Sequence, residues 1–344
     1  MMSMKMWYLL LLGAFLPIVP TEAEVVKSVA DCGQFLLEAK PPQVPGILEG
    51  GKITDQNRYK PICQTYKDER KFLTLYDTKN RIPVFSALKY RGEGGGKPPS
   101  DEWMIEPQLE NEEDKNKNML DVERDRTYNN QAGDNDYKDQ KGFTRGHLIA
   151  SSYGFQISGK MSTYTLTNIV PQQKTFNEGS WYKMEKCVKC IMDRHCTNNG
   201  VTEAYVVTGA QPNNNNKQLN NRVNIPDTLW SAFCCFDSKK KKWIANAHWG
   251  NNDPEILSEK KTLPTKTLGE LKQQLGIECF MKHSVLRLCS SQTLTTAHAP
   301  ALLQPLRPIS IKIFPFHTQH LVHYMPCPAF ICLALHHVFG VLTV

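Results

Sequence analysis

Thr144-Arg145-Gly146-His147 places an arginine next to a histidine, and a second run follows at Thr167-Asn168-Ile169-Val170-Pro171-Gln172, then Asn177, Trp181 and Glu185. These are the residue types that metal-assisted cleavage of a phosphodiester requires. A base must take a proton from the attacking water, positive charge must meet the transition state, and the leaving oxygen needs help. Histidine titrates close to working pH, which makes His147 the candidate base. A hard divalent ion can do the other two jobs. Magnesium takes oxygen ligands and keeps several of its waters, so few protein ligands suffice. The amide oxygen of Asn177 is the candidate ligand, and Glu185 can hold the waters of the ion. Arg145 presents a planar fork suited to phosphate oxygens. Each residue alone has a plainer reading as a turn, a helix cap or a solvated helix charge; the ordered combination is what points to chemistry.

These residues need a frame. Asn177, Trp181 and Glu185 recur every four positions, which predicts one face of a helix. The stretch from Ser162 to Lys186 reads as a helix, a loop holding Asn168 and Pro171, and a second helix. Gly142 to Ser151 reads as a strand entry and an exposed turn. Upstream, residues 59–66 and 72–77 read as strands. A turn at Asp77-Thr78-Lys79-Asn80 and a return strand over 81–90 make the second of them a hairpin. Residues 92–142, rich in Gly, Pro, Asn, Asp, Glu and Lys, predict a long irregular surface excursion. Thr202–Gly209, Thr228–Phe236 and Trp243–Trp249 are buried-strand candidates. Lys239 to Lys242 fit a solvated hairpin turn between the last two. Leu263 to Leu275 reads as a final helix capped by Thr265 or Thr267.

The 344 residues carry a net charge of +7, a mild excess that suits an anionic partner without demanding one. Residues 1–23 read as a secretory signal, with Lys5 ahead of the apolar run Met6–Val19 and Thr21-Glu22-Ala23 before the cut. The run is short for a membrane span. A secreted mature chain beginning at Glu24 is expected, without stable membrane association. Eleven cysteines then imply disulfides, but the eight between Cys32 and Cys279 allow 105 pairings. Cys187-x-x-Cys190 with His195 and Cys196 fits no zinc spacing, so oxidised loop cysteines are expected. His195, His248 and His283 are read as surface or packing residues. Residues 24–54 form an N-terminal arm. Residues 281–344 form an atypical, disordered tail: from Ser284 onward there is no Asp or Glu, and six of the ten histidines fall there. No function is built on it.

The run from Thr144 to Glu185 resembles the DNA/RNA non-specific endonuclease family, the ββα-metal (His-Me finger) nucleases, over about residues 55–280. The signal sequence, the cysteines and Trp103-Met104-Ile105-Glu106-Pro107-Gln108-Leu109 are similar to a secreted subgroup of it. The resemblance implies an α+β fold with a central antiparallel sheet flanked by helices. It implies His147 as general base, Arg145 as transition-state stabiliser and Asn168 as support for the site, fixing His147. Asn177 would be the direct Mg²⁺ ligand, with Mn²⁺ as a possible substitute, and Glu185 would orient metal-bound water. The partner implied is DNA and/or RNA, held by its phosphates, with Lys174 and Lys183 as further contacts. One residue departs: the family usually has Asp where this chain has Thr144, which implies weaker metal binding or lower activity. The alternative is a weak or inactive nuclease fold serving as an extracellular binding or signalling module.

Overall fold

The computed structural model describes residues 24–96 and 102–280. The expectations for the signal sequence, for His283 and for the tail fall outside those residues. In chain order the main elements are β1 (Tyr59–Tyr66), β2 (Glu69–Asp77), β3 (Ile82–Tyr90), β4 (Phe143–His147) and β5 (Ile169–Gln173). Helix α1 (Tyr182–His195), β6 (Ala204–Gln211), β7 (Thr228–Asp237), β8 (Lys242–Asn251) and α2 (Leu268–Leu275) follow. The long strands are built from β-branched and aromatic residues and are closed by aspartate turns. Asp77 Oδ1 accepts from the backbone N–H groups of Lys79 and Asn80 at 3.1 Å each. Asp237 does the same for Lys239 and Lys240 at 3.0 Å each.

The main sheet is eight-stranded. Its long members run in the order β1-β2-β3-β6-β7-β8, each antiparallel to its neighbour. The short strands Thr197–Asn198 and Val201–Thr202 extend it at the Asp237 end, where Thr197 pairs in parallel with Asp237. Alternation along a strand sends successive side chains to opposite faces. Val206 therefore joins one apolar core, with Leu148, Ile169, Trp181, Val188 and Phe233, while Val207 joins another, with Phe35, Phe85, Trp230, Leu268 and Leu271. The β4–β5 hairpin and α1 pack on the first face; the N-terminal 3₁₀ segment Val29–Phe35 and α2 pack on the second. The fold is α+β with a central, almost wholly antiparallel sheet flanked by helices.

Two disulfides, Cys32–Cys63 and Cys196–Cys235, tie the N-terminal segment to β1 and the end of α1 to β7. Cys187 and Cys190 lie inside α1 and not in a loop. Helix α2 starts from Thr267, whose hydroxyl accepts from Glu270 N at 3.1 Å while the Glu270 carboxylate accepts from Thr267 N at 2.8 Å. Among the described residues no helix is long and apolar enough to cross a membrane.

Three local expectations are corrected. The described residues between 92 and 142 are mostly irregular, as expected, but Met104, Glu106, Leu109, Tyr128, Ala132 and Tyr137 are buried, so they form a packed wall and not a surface loop. Pro171 lies in β5 and not in a loop. The two-stranded β4–β5 ribbon leaves one side of β5 unpaired, where a proline without an N–H is tolerated. The helix predicted from Ser162 instead spans Ile157–Ser162 and ends there, and a 3₁₀ turn at Leu166–Asn168 leads into β5.

Candidate active site

The site is a β-hairpin laid against the start of a helix. In β4 and β5, Thr144 faces Gln172 and His147 faces Ile169 across the ladder. A Cβ at Gly146 would overlap the Gln172 side chain, so glycine is what lets Gln172 fold across the strand. From β5 the chain enters a helical turn at once. Asn177–Trp181 is a π turn, broken by Gly179 at φ −97°, ψ −114°, and α1 continues from it. Asn177 is therefore not on the regular face that holds Trp181 and Glu185; the wider turn swings it toward β4. Its Nδ2 donates to Thr144 Oγ1 at 2.9 Å. Thr144 in turn donates to the Gln172 carbonyl at 3.3 Å. One helical turn on, Trp181 Nε1 donates to Glu185 Oε1 at 3.1 Å.

The two faces of β4 serve different neighbours. Thr144 meets the helix, while Arg145 and His147, two residues apart, both meet Trp103. The His147 ring lies 5.6 Å from Trp103 and 4.9 Å from Tyr164, edge-on to the latter. Its Nε2 is buried with no hydrogen-bond partner among the described residues. That burial pulls the imidazole down to about pKa 4, so the ring is neutral at pH 7. The Arg145 guanidinium sits 5.2 Å over Trp103 and 5.3 Å over Tyr137, and it pairs with Asp134. Burial pushes Glu185 up to about 8 against the pull of the Trp181 hydrogen bond. His147 does not hydrogen-bond through Nε2 to Asn177 or Glu185, and Thr144, which holds Asn177, lies on the opposite face of β4 from His147.

Asn168 holds the chain after His147, not the His147 ring. Its Oδ1 accepts from Ile149 N at 3.0 Å, and its Nδ2 donates to the Ile149 and Thr163 carbonyls at 3.1 Å each. Its own carbonyl accepts from Leu148 N at 2.9 Å. Lys183 reaches the Lys261 carbonyl at 3.1 Å, and Lys174 is exposed beside β5. The lysine turn is remote. Asn252, at the opposite end of β8, bonds Gln173 N at 2.8 Å and the Pro171 carbonyl at 2.9 Å. A ten-residue strand such as β8 spans about 30 Å. Lys239–Lys241 thus form a solvated turn at the far end. His248 is packed, with Nδ1 3.0 Å from the Pro264 carbonyl, and His195 lies 3.7 Å from Asp237.

Glu255 carried no motif. Its carboxylate accepts from Ser180 N at 2.9 Å and from Ser180 Oγ at 2.6 Å, clamping the π turn. Trp103, Tyr137, Tyr164 and Asp134 were equally silent as site residues. They come from the irregular wall or from the turn before β5, and only packing joins them to His147 and Arg145.

The Nδ2–Thr144 bond leaves Asn177 Oδ1 as the free end of its amide. Among the described residues no group of three or more His, Cys, Asp or Glu side chains could hold a metal.

Fold and site together define a ββα nuclease frame, and residues 51–280 match the DNA/RNA non-specific endonuclease family: the chain belongs to that family. Among curated proteins it is similar to the human endonuclease domain-containing 1 protein, with 30% identity over 60% of this chain and 39% of that protein. The mouse protein of the same name shares 27% identity over 60% of this chain and 38% of its own length. The match thus spans about two-fifths of these relatives. Among solved structures, a chain of the EndoG/EndoGI complex aligns with 61% of this chain and 82% of its own at 16% identity, with a TM-score of 0.41.

Proposed function

We propose that this protein is a secreted, divalent-metal-dependent endonuclease that hydrolyses phosphodiester bonds of DNA or RNA without reading sequence. The observation that carries this is the contact of Asn177 with Thr144 across the hairpin–helix junction, which orients an amide oxygen beside the strand that holds His147. Asn177 and, through water, Glu185 would hold the cation. Mg²⁺ fits, with Mn²⁺ as substitute, and when bound it supplies Lewis-acid stabilisation of the phosphate and the leaving oxygen. His147, neutral at pH 7, takes the proton of the attacking water. Arg145, held flat by Trp103 and Tyr137, offers its remaining N–H groups to phosphate oxygens. Asn168 keeps the backbone beyond His147 in place. The two disulfides and the signal-like first 23 residues support secretion.

One observation favours a second reading, a nuclease fold kept for binding. Arg145 is already paired with Asp134, and Thr144 adds no charge where the family usually has Asp. Plasmid and RNA cleavage by the secreted protein, with Mg²⁺ and with EDTA, separates the two. Cleavage that needs the metal and falls about 10²- to 10⁴-fold in His147→Ala supports the enzyme. Folded wild-type protein that binds nucleic acid and cleaves nothing supports the binding module. If cleavage occurs, it should fall steeply with added salt, because phosphate contacts release counterions.

A further inference from the structure

Glu24 and Glu106 carry buried carboxyl groups. They are 1% and 0% exposed, and none of their carboxylate oxygens has a hydrogen-bond partner among the described residues. The backbone of Glu106 is satisfied: its N–H donates to Gln131 Oε1 and its carbonyl accepts from Gln131 Nε2, both at 2.8 Å. Only the carboxyl is left over. Thr65 stands beside Glu24, where its hydroxyl and backbone N–H pull the carboxyl down, while the hydroxyl also donates to the Cys63 carbonyl at 2.9 Å. Burial holds both carboxyls well above the usual range, and Glu24 raises Glu106 further; Thr65, Arg70 and Lys117 oppose the rise at Glu24.

Buried carboxyls need protons or a cation. The chain can supply a cation itself. Val25 N donates to Gln108 Oε1 at 2.9 Å, and Val25 packs beside Leu109, so the backbone at Glu24–Val25 lies along the Glu106–Leu109 segment. The nitrogen of Glu24 is one residue away, within about 3.6 Å of Val25 N by covalent geometry. Cleavage after Ala23, the position read as the end of the signal sequence, would turn that nitrogen into an ammonium with three donors.

We propose that Glu24 and Glu106 form a binding site for the α-ammonium group of the chain's own processed N terminus. The site opens onto the active-site wall by short covalent paths. Three residues before Glu106, Trp103 stacks on Arg145 and His147. Three residues after Gln131, Asp134 pairs with Arg145. Seating the new terminus fixes both ends of that wall, so removal of the signal sequence completes the fold around the site. The proposal rests on cleavage after Ala23 and is independent of whether the protein cleaves nucleic acid.

The test uses the full chain from Glu24 onward, the same chain with one glycine ahead of Glu24, and both again with Glu106→Gln. Melting temperatures are compared at pH 6.5, where a free α-amine is protonated. Acylation of the N-terminal amine by an N-hydroxysuccinimide ester is followed by mass spectrometry. The chain that starts at Glu24 should melt about 6 °C or more above its glycine-extended form. Its amine should react at least tenfold more slowly than that of the extended form. Glu106→Gln should erase both differences, even if it lowers both melting temperatures together. Equal melting temperatures, an amine as reactive as that of the extended form, or a difference that survives Glu106→Gln would each overturn the proposal. So would a secreted protein whose mass shows a first residue other than Glu24. None of these readouts involves nuclease activity.

Discussion

Thr144 decides which end of the Asn177 amide faces away from β4. An asparagine amide has a donor end and an acceptor end. By accepting from Nδ2, the threonine hydroxyl presents Oδ1. Thr144→Val keeps the shape and removes the acceptor. A neutral hydrogen bond is worth about 1 kcal/mol net, so Mg²⁺ should bind about five- to tenfold more weakly. Thr144→Asp accepts the same hydrogen bond and adds charge, so it should bind Mg²⁺ more tightly than wild type. Calorimetric Kd values unchanged in both variants would deny Thr144 this role. The second residue-scale prediction concerns pH. His147 is pulled down to about 4, so it is protonated and useless as a base only below that pH. The acid limb of kcat/KM, which reports the free enzyme, should fall near pH 4 and not near 6.5. A limb at 6.5 would show that the ring is solvated in the free protein.

At the scale of elements, the π turn between β5 and α1 places Asn177 away from the regular face of α1. It is held from outside. Glu255 accepts two hydrogen bonds from Ser180, and a Cβ at Gly179 would come within 2.6 Å of Glu255 Oε2. Hydrogen bonds to a charged group contribute about 1.5–3 kcal/mol each, and Glu255→Ala also leaves a buried N–H unmet. Loss of about 3 kcal/mol in urea unfolding is expected, together with weaker Mg²⁺ binding, because the turn relaxes toward a regular helix. Wild-type Mg²⁺ affinity in a destabilised Glu255→Ala protein would show that the clamp supports the fold and not the site. The apolar runs and aspartate turns made the long strands legible from the sequence. The π turn was not, because Asn177, Trp181 and Glu185 carry the spacing of a regular helix and the distorting contact comes from a loop far along the chain.

At the scale of the molecule, the disulfides and buried histidines set how stability responds to conditions. Cys196–Cys235 spans 39 residues and locks the far end of α1 to β7. A loop of that size implies about 4 kcal/mol on the chain-entropy account. The double variant Cys196→Ser, Cys235→Ser should unfold at correspondingly lower denaturant; an unchanged midpoint would place α1 under the control of its core packing alone. His248 is 5% exposed and lowered to about 4 by burial, against the pull of the Pro264 carbonyl. The unfolded chain therefore binds its proton more readily. The stability it contributes is present above pH 6.5 and is lost as pH falls toward 4, on the order of 3 kcal/mol for a shift of that size. His248→Gln should flatten that part of the pH–stability curve, and a curve of unchanged slope would show that other groups set it.

The sequence by itself determined the chemistry on offer and the family. Side-chain type and order along the chain carry those, and Thr144-Arg145-Gly146-His147 with Asn177 and Glu185 can be read without coordinates. It also determined the strands whose turns are closed by local hydrogen bonds, and a cap at Thr265 or Thr267, because those contacts lie within a few residues; the structure chose Thr267. Only the tertiary structure decided that Pro171 sits in a strand, that Asn168 grips Ile149, that Trp103 and Tyr164 enclose His147, and that Asp134 occupies Arg145. It also decided that Cys32 pairs with Cys63 and Cys196 with Cys235, and that Glu24 and Glu106 are both buried. Each of these depends on contacts between residues far apart in the chain, whose energy comes from excluding water between surfaces that local spacing does not encode.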